Sequence, residues 1–343
     1  MEPVTFLSPE NTQPSKKKFL GKLPEKKYII LAVLIVIGLF YLIKSDHQFS
    51  INNPFSFRDG TQILPLTTPD PDYAMPDKDP NRIDVLVLGI RGLDDANASD
   101  GGPLLTDSIQ VFSYDKTTKK SSLISIPRDL FVTIHDREKA KLNSAYEYGL
   151  SHSSNSLQFI KDKISQITGT YIDQVVVFDF SSFKEIVDSL GGIDVTLVAP
   201  FTETQQWGAS FSLPAGLNHL DGQSALYYAR SRYTSSDFDR SRRQQQIIFA
   251  IKDKLMKLNF LGDPLKSFSV LTTVRSHVKT DIGVWNINEF ISLANQLKMD
   301  QIKKTVISTE NLVVDSKENG AYILLPKVGN FSEIKKLFQD SLK

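Results

Sequence analysis

The first strand of the fold is predicted by the segment IDVLVLGI, residues 83–90, whose only polar side chain is Asp84. Two more strand-like segments follow closely, DSIQVFSY (107–114) and SSLISI (121–126), and the lysine-rich turn DKTTKK separates them. Segments rich in branched apolar residues and bounded by turn residues are typical of strands inside a sheet. The folded part of the chain is therefore predicted to open with three strands.

The segments after these strands alternate between helical and strand patterns. In chain order they are a helix over 153–167, a strand in 171–180, a helix over 181–190, a strand over 193–198, helices near 221–229 and 239–258, strands in KKTVIS (303–308) and AYILLP (321–326), and a helix over 332–342. This order is typical of an α/β fold, and we expect a three-layer α-β-α domain with a central mixed β-sheet. We assign residues 82–310 to the catalytic domain and 311–343 to its C-terminal extension.

The N-terminal part of the chain predicts a single membrane anchor. The uninterrupted apolar run YIILAVLIVIGLFYLI (28–43) has lysines on both sides, and we assign residues 28–44 to a transmembrane helix. Six lysines against three glutamates in residues 1–27 favour a cytoplasmic tail, which leaves the remainder outside the cell. A cleaved signal peptide is the alternative, but KSDHQFS after the run offers no small-residue cleavage site. Six prolines mark residues 45–81 as an extended linker.

Composition excludes several classes of function. The chain of 343 residues has no cysteine, which excludes disulfides, thiol nucleophiles and cysteine-ligated metals. A net charge of +1 argues against a general nucleic-acid binder, whose excess of basic residues usually covers a whole domain. The sequence contains no phosphate-binding Gly-x-x-x-x-Gly-Lys loop, no Gly-x-Ser-x-Gly elbow and no His-Glu-x-x-His motif, and the histidines lack metal-ligand spacing.

Five arginines within twenty positions distinguish the segment YYARSRYTSSDFDRSRRQQQ, residues 227–246. They are Arg230, Arg232, Arg240, Arg242 and Arg243. Helical spacing places Arg240, Arg243 and Gln244 on one face, from which they could converge on a single ligand, whereas Arg242 would lie on the outer, solvated side. Arg230 and Arg232 would point the same way only if the preceding helix ended near Ala229. Clustered guanidinium groups are typical of phosphate sites, although ion pairs with Asp237 and Asp239 are an equal alternative.

A set of motifs closely resembles the LytR-CpsA-Psr family. The motifs are SLISIPRDLFVTI (122–134), KLNSAYEYG (141–149), LGGIDVTL (190–197), LPAGLNHLDGQSALYYARSR (213–232) and DFDRSRRQQ (237–245). They occur in family order across about residues 82–258, behind a short tail and an apolar run that also match. The resemblance implies a single-pass bacterial membrane protein that transfers a glycopolymer from a polyprenyl-diphosphate carrier to peptidoglycan, usually with magnesium.

The resemblance also implies roles for particular residues. Those that match the diphosphate ligands of the family are Arg128, Arg230, Arg232, Arg240 and Gln244. Asp107 matches a magnesium ligand, and with Arg128 and Arg240 it completes the expected catalytic set. For Asp237 a polar role near the site and a helix N-cap are equal alternatives. We expect Asp129 to be structural, whereas Lys141 and Asn143 could face the site.

Two departures from the family pattern fall beside the first strand. The chain reads LGIRG with Arg91 and LLTD with Leu105, where family members commonly carry an aspartate and an arginine. In a compensating exchange, Arg91 would bind the diphosphate and Asp94 or Asp95 would bind the metal, and we assign Asp95 to the metal site. Alternatively, residues 91–102 form only a mobile loop rich in Gly, Asp and Asn.

The leading hypothesis is an extracytoplasmic, membrane-anchored phosphotransferase that uses Mg²⁺ and holds the prenyl chain in an apolar channel between sheet and helices. Two alternatives stay open: a non-catalytic module that binds polyprenyl diphosphate and regulates envelope synthesis, and a hydrolase that cleaves the diphosphate. No nucleic-acid partner is expected. Trp207 and Trp285 could line a sugar groove, although packing inside the domain or its loops is the favoured interpretation.

Overall fold

The computed structural model describes residues 73–93, 102–136, 138–257, 278–282 and 301–343. Residues 1–72, which include the predicted transmembrane helix, lie outside these ranges, as do Asp94, Asp95 and Trp285. None of the helices within the described ranges combines the length and apolar character that a membrane-spanning helix needs.

The described residues form an alternating series of strands and helices. In chain order the elements are β1 (Arg82–Ile90), β2 (Thr106–Asp115), β3 (Ser121–Ser125), β4 (Phe131–His135), β5 (Glu138–Lys141), a 3-10 turn (Leu142–Ser144), α1 (Ala145–His152), α2 (Ser156–Thr168), β6 (Gln174–Phe178), α3 (Phe180–Ser189), β7 (Ile193–Leu197), β8 (Phe201–Glu203), β9 (Phe211–Leu213), β10 (Gly216–Leu220), α4 (Gly222–Arg230), α5 (Asp237–Lys257), β11 (Lys279–Thr280), β12 (Ile302–Val306), β13 (Val313–Glu318), β14 (Ala321–Pro326) and α6 (Ser332–Asp340).

The largest sheet has six strands in the order β11-β6-β1-β2-β3-β12. Strand β1 runs parallel to β6 and antiparallel to β2, and β3 runs antiparallel to β2 and parallel to β12. The predicted central mixed sheet is therefore confirmed, together with the three early strands that open it. Two-stranded ribbons surround it, among them β4–β5, β8–β9 and β13–β14.

Both faces of β1 are covered, which explains its nearly continuous apolar sequence. On one face, Leu86 and Leu88 belong to a buried cluster that includes Ile160 and Ile164 of α2 and Phe338 of α6. On the opposite face, the side chain of Gln245 in α5 donates hydrogen bonds to Leu123 O and Ser125 Oγ of β3. Helices thus pack on both sides of the sheet. The C-terminal residues contribute to the same core, since Val313, Leu324 and Phe331 are buried in the first cluster.

Local capping explains where two of the predicted helices begin. Asn155 caps α2 by accepting a hydrogen bond from the Gln158 backbone, so that helix starts three residues later than the predicted 153. Asp179 and Ser182 form a reciprocal capping box at the start of α3, which places this helix directly after β6. The sharp turn from β6 into α3 brings the N-terminus of α3 to the edge of the sheet where the candidate site lies.

Candidate functional site

Strand directions bring the sequence-predicted residues to one edge of the sheet. The carboxyl ends of β1, β3 and β6 meet at this edge, together with the start of the antiparallel strand β2. Arg91 follows β1, Asp107 begins β2 and Arg128 follows β3. The backbone N–H of Phe180 after β6 donates to Arg91 O at 3.2 Å, which closes the edge on its β6 side. Ligands of open α/β sheets usually bind at this kind of edge.

Arg128 lies at the centre of the site and is surrounded by three carboxylates. Its Nη1 donates to Asp107 Oδ1 at 2.5 Å, and its Nε lies 3.7 Å from Asp129 Oδ2 and 3.9 Å from Asp237 Oδ1. Burial alone would lower the pKa of Arg128, but the carboxylates of Asp107, Asp237 and Asp129 raise it above its ordinary value. The guanidinium is therefore charged and fixed in orientation.

Arg240 lies beside Arg128 and shares its partners. It is only 4% exposed, and its Nη2 donates to Asp237 Oδ2 at 2.9 Å and to Asp107 O at 3.2 Å. Burial lowers the pKa of the Arg240 guanidinium, and the nearby charges of Arg128 and Arg232 lower it further, against the opposing effect of Asp237. Within the described part of the chain, the Nε atoms of Arg128 and Arg240 have no hydrogen-bond partner. Two adjacent guanidinium groups with such unmet donors favour an anionic ligand.

The carboxylate of Asp237 serves the arginines rather than the start of α5. Ser236 caps this helix instead, because its Oγ accepts from the Asp239 backbone at 3.0 Å while Asp239 Oδ2 accepts from the Ser236 backbone at 3.2 Å. The N-cap interpretation of Asp237 is therefore wrong. The ion-pair alternative is also realised, since Asp237 pairs with Arg240 and Asp239 pairs with Arg242.

Arg230 and Arg232 flank an extended residue at the end of α4. The helix ends at Arg230, one residue later than predicted, and Ser231 has extended torsions (φ −53°, ψ 131°). The guanidinium carbon of Arg230 lies 4.0 Å from the ring centroid of Phe180 and 5.2 Å from that of Trp207. Since the Phe180 backbone donates to Arg91 O, Arg230 lies on the β6 side of the site, whereas the charge of Arg232 acts on Arg240.

A loop between β8 and β9, residues 204–210, fixes the backbone of this arginine pair. Gln206 bridges it, donating to Arg230 O at 3.1 Å and accepting from the Arg232 backbone at 2.8 Å. The carboxylate of Glu203, fully buried at the end of β8, accepts four backbone N–H groups, from Gln205, Gln206, Tyr233 and Thr234. Burial alone would raise the pKa of Glu203, but these backbone hydrogen bonds lower it. No sequence motif linked Glu203 or Gln206 to the arginines, because their contacts span 24 to 31 residues.

Trp207 in the same loop packs inside the domain, as the favoured interpretation had it. Its indole N–H donates to Ser231 Oγ at 3.1 Å, and its ring stacks on Tyr227 at 4.5 Å between centroids. Together with Phe180 it forms an aromatic bracket around Arg230. The tryptophan therefore contributes to the site through the arginine that it contacts.

Arg243 and Gln244 bind the end of α4. Arg243 is buried, and it donates to the carbonyl oxygens of Tyr228 and Ser231, so the expectation that it converges on a ligand with Arg240 is wrong. Gln244 donates to Ala229 O at 3.4 Å, next to Arg230, and its role toward phosphate stays a prediction. Arg242 lies outside, paired with Asp239 and Glu310.

The motif residues Asp129, Lys141 and Asn143 hold the loop that carries Arg128. Asp129 is buried and accepts from Lys141 Nζ at 2.7 Å. The Asn143 backbone donates to Arg128 O at 3.0 Å, and its own carbonyl accepts from Thr106 Oγ1 at 3.2 Å. The expected structural role of Asp129 is borne out, and Lys141 reaches toward the site through it.

The carboxylates of the site suit a magnesium ion that is bound partly by the protein and partly by phosphate oxygens of the substrate. The described residues contain no group of three or more Asp, Glu or His side chains that could bind a metal by themselves. Mg²⁺ commonly uses only one or two protein carboxylates and completes its shell with water and substrate phosphate oxygens. Asp107 and Asp237, which both contact Arg128, supply such a pair. Asp95 lies outside the described residues, so the exchange proposed between Arg91 and the metal ligands stays a prediction.

Comparisons with known proteins identify the family of this chain. The model of the LytR_cpsA_psr family matches residues 57–339. The polyisoprenyl-teichoic acid–peptidoglycan teichoic acid transferase TagU of Enterococcus faecalis is 29% identical over 228 residues, which cover 64% of this chain and 70% of that protein. The regulatory protein MsrR of Staphylococcus aureus is 31% identical over 208 residues, 60% of this chain and 58% of MsrR. The crystal structure of Bacillus subtilis TagV superposes with a TM-score of 0.58 at 26% identity, covering 76% of this chain and 97% of TagV. The chain belongs to the LytR_cpsA_psr family.

Proposed function

We propose that this protein is a membrane-anchored, extracytoplasmic phosphotransferase that moves a glycopolymer from a polyprenyl-diphosphate carrier to peptidoglycan. The observation that carries the proposal is the pair Arg128 and Arg240, held side by side by Asp107 and Asp237 at the carboxyl edge of the sheet. The name of the relative TagU, a teichoic acid transferase acting on peptidoglycan, supports the same reaction.

The reaction needs no covalent enzyme intermediate. A hydroxyl oxygen of the acceptor attacks the phosphorus that carries the glycan, and a new phosphorus–oxygen bond forms. The bond from that phosphorus to the bridging oxygen breaks, the oxygen leaves with the electron pair as part of polyprenyl phosphate, and the hydroxyl proton is released to water. Arg128 and Arg240 would stabilise the negative charge that builds up on the diphosphate oxygens. Arg230 and Arg232 would bind the same diphosphate, Arg230 from the β6 side.

Magnesium is part of this proposal. Asp107 and Asp237 would hold the ion, and Asp95 is a further ligand predicted from the sequence. When bound, Mg²⁺ would neutralise charge on the leaving phosphate. The residues of the chain still orient the diphosphate, because Arg128 and Arg240 are fixed by their carboxylate partners.

A membrane anchor would place the site next to its lipid-linked donor. We propose that residues 28–44 cross the membrane once, with residues 1–27 in the cytoplasm and the folded domain outside the cell. The prenyl chain would enter an apolar channel between the sheet and the helices.

The experiment uses the full chain with a polyprenyl-diphosphate-linked oligosaccharide and peptidoglycan, with and without Mg²⁺. Release of polyprenyl phosphate coupled to sugar on the peptidoglycan is expected for the wild type. Arg128→Ala should abolish both, whereas Arg242→Ala, which removes an arginine on the outer side of α5, should change neither. Transfer at the normal rate by Arg128→Ala would contradict the site assignment.

A second candidate function is a regulatory module that binds the lipid diphosphate without catalysis. The relative MsrR, named a regulatory protein, favours it. In the same experiment this function predicts tight binding of the lipid-linked sugar without release of polyprenyl phosphate. Release without sugar attachment would instead identify a hydrolase.

A further inference from the structure

A groove of about 540 Å³ lies between the ribbons β4–β5 and β13–β14. Its apolar lining comes from Phe131 and Ile323, and its polar lining comes from Lys139, Lys141, Glu318 and Asn319. Lys139 and Lys141 stand two apart on strand β5, so their side chains leave the same face of the ribbon. The groove thus combines an apolar surface with two ammonium groups, one carboxylate and one amide.

The groove adjoins the arginine cluster. Lys141 Nζ lies 2.7 Å from Asp129 Oδ1, and the other oxygen of Asp129 lies 3.7 Å from Arg128 Nε. A single carboxylate therefore separates the groove from the arginine at the centre of the site.

The groove and Arg230 lie on opposite sides of the arginine site. Arg230 lies on the β6 side of the site, above Phe180, whereas Asp129 and Lys141 lie on the β3 side. The arginine site therefore has one end at Arg230 and its other end at the groove. In phosphoryl transfer the attacking and leaving oxygens lie on opposite sides of the phosphorus. When Arg230 and Arg232 hold the carrier phosphate, the groove side of the site stays open to the attacking hydroxyl.

The rim of the groove is rigid. Glu318 pairs with Ala321 across a two-residue turn, and both turn residues, Asn319 (φ 50°) and Gly320 (φ 79°), have the left-handed torsions that such hairpin turns require. Strand β14 is tied to the site, since the backbone of Leu324 donates to Asp129 O at 2.9 Å. The groove is therefore preformed, and its walls are connected to the loop that carries Arg128.

We infer that this groove binds the acceptor, a carbohydrate strand that carries carboxylate groups. Lys139 and Lys141 would bind its carboxylates, and Glu318 and Asn319 would bind its hydroxyl groups. The inference rests on the proposed transferase function and adds the acceptor subsite to it. Sugars present hydroxyls at their edges and C–H groups on their faces, which matches the mixed lining. The glycan of the donor shares this chemistry, so the test separates the two.

The test compares Lys139→Ala with Lys317→Ala in the full chain. Both residues are exposed lysines on surface ribbons, but Lys317 lies one position from Glu318 on the other face of β13 and does not line the groove. The Michaelis constants are measured separately for soluble peptidoglycan oligosaccharides and for the polyprenyl-diphosphate-linked oligosaccharide. Lys139→Ala should raise the constant for peptidoglycan about five-fold, the loss expected for one exposed ion pair, and leave that for the lipid-linked donor unchanged. Lys317→Ala should match the wild type in both.

A rise for the donor only would assign the groove to the donor glycan, and no change in either constant would exclude a binding role; both results overturn the inference. Binding of the peptidoglycan oligosaccharides to each variant is also measured by calorimetry, without donor. If the wild type transfers nothing but Lys139→Ala still binds the oligosaccharides more weakly, the acceptor groove is supported and the proposed transferase function is refuted. Equal binding by both variants in such a protein would refute the groove as well.

Discussion

Replacing Glu203 by glutamine tests whether the loop after β8 holds the arginine pair. One carboxylate oxygen of Glu203 accepts from the backbones of Gln205 and Gln206, and the other accepts from Tyr233 and Thr234 at 3.0 and 3.2 Å. An amide keeps only one oxygen, so its NH₂ group must face two N–H donors on one of these segments. Two hydrogen bonds to a charged acceptor are lost, each worth about 1.5–3 kcal/mol, which gives about 3–6 kcal/mol of local stability.

This loss should appear on one of the two backbone segments that Glu203 holds. In Glu203→Gln, hydrogen exchange should accelerate by at least about 100-fold either at the amides of Gln205 and Gln206 or at those of Tyr233 and Thr234, which corresponds to about 2.7 kcal/mol of the expected loss. Affinity for inorganic diphosphate should fall with it, because Arg232 loses its fixed position. The matched control is Glu310→Gln, which changes an exposed carboxylate that contacts only Arg242 among the described residues.

Exchange equal to that of the wild type at all four amides would refute the reasoning. The pH dependence offers a second check on the same residue. Because hydrogen bonds lower the pKa of Glu203 in the folded protein, its contribution is present above the pKa of the unfolded chain and is lost as the pH falls through the folded value. Glu203→Gln should therefore remove part of the acid sensitivity that the wild type shows.

Three further predictions concern the centre of the site and the scaffold. Arg128→Ala should lower the transfer rate by at least about 100-fold in the assay described above, while near-ultraviolet circular dichroism stays that of the wild type. Gly222→Ala should lower the free energy of unfolding by about 1–3 kcal/mol in a urea titration, because an added Cβ would lie 2.4 Å from Lys184 O; an unchanged midpoint would mean that α3 and α4 can separate at no cost. Burial, opposed by Arg82, raises the pKa of Asp84 to about 6, so the contribution of this group to stability should decline as the pH rises from about 4 to about 6. Asp84→Asn should flatten this part of the curve of unfolding free energy against pH. A curve identical to that of the wild type would contradict the assignment.

The central sheet was predictable because its strands carry strong local signals. The segments 83–90, 107–114 and 121–126 are apolar and bounded by turns, and their alternating directions bring Arg91, Asp107 and Arg128 to one edge. The short ribbons β4–β5, β8–β9 and β13–β14 were not all foreseen. Strands of three to six residues leave little periodicity to detect, and helix α1 lies in a motif that carried no clear helical spacing.

The candidate site was predictable in its residue types but not in its connections. The arginine motifs identified Arg128 and Arg240, and the fold brings both to Asp107 and Asp237, although Arg240 reaches Asp107 through its backbone carbonyl. Arg243 could not be separated from them by helical spacing, because only the position of α4 decides that its donors meet backbone carbonyls. Glu203 acts through backbone amides, which carry no sequence signature.

The ion pair between Arg128 and Asp107 has a consequence for turnover. The carboxylates of Asp107 and Asp237 already pair with part of the Arg128 guanidinium, so an anion that binds its unmet donor must compete with them for the others. A diphosphate carries more charge and more oxygens than a monoester and therefore competes better for these donors. In the proposed transfer, the carboxylates of Asp107 and Asp237 therefore favour departure of the shorter product over its retention.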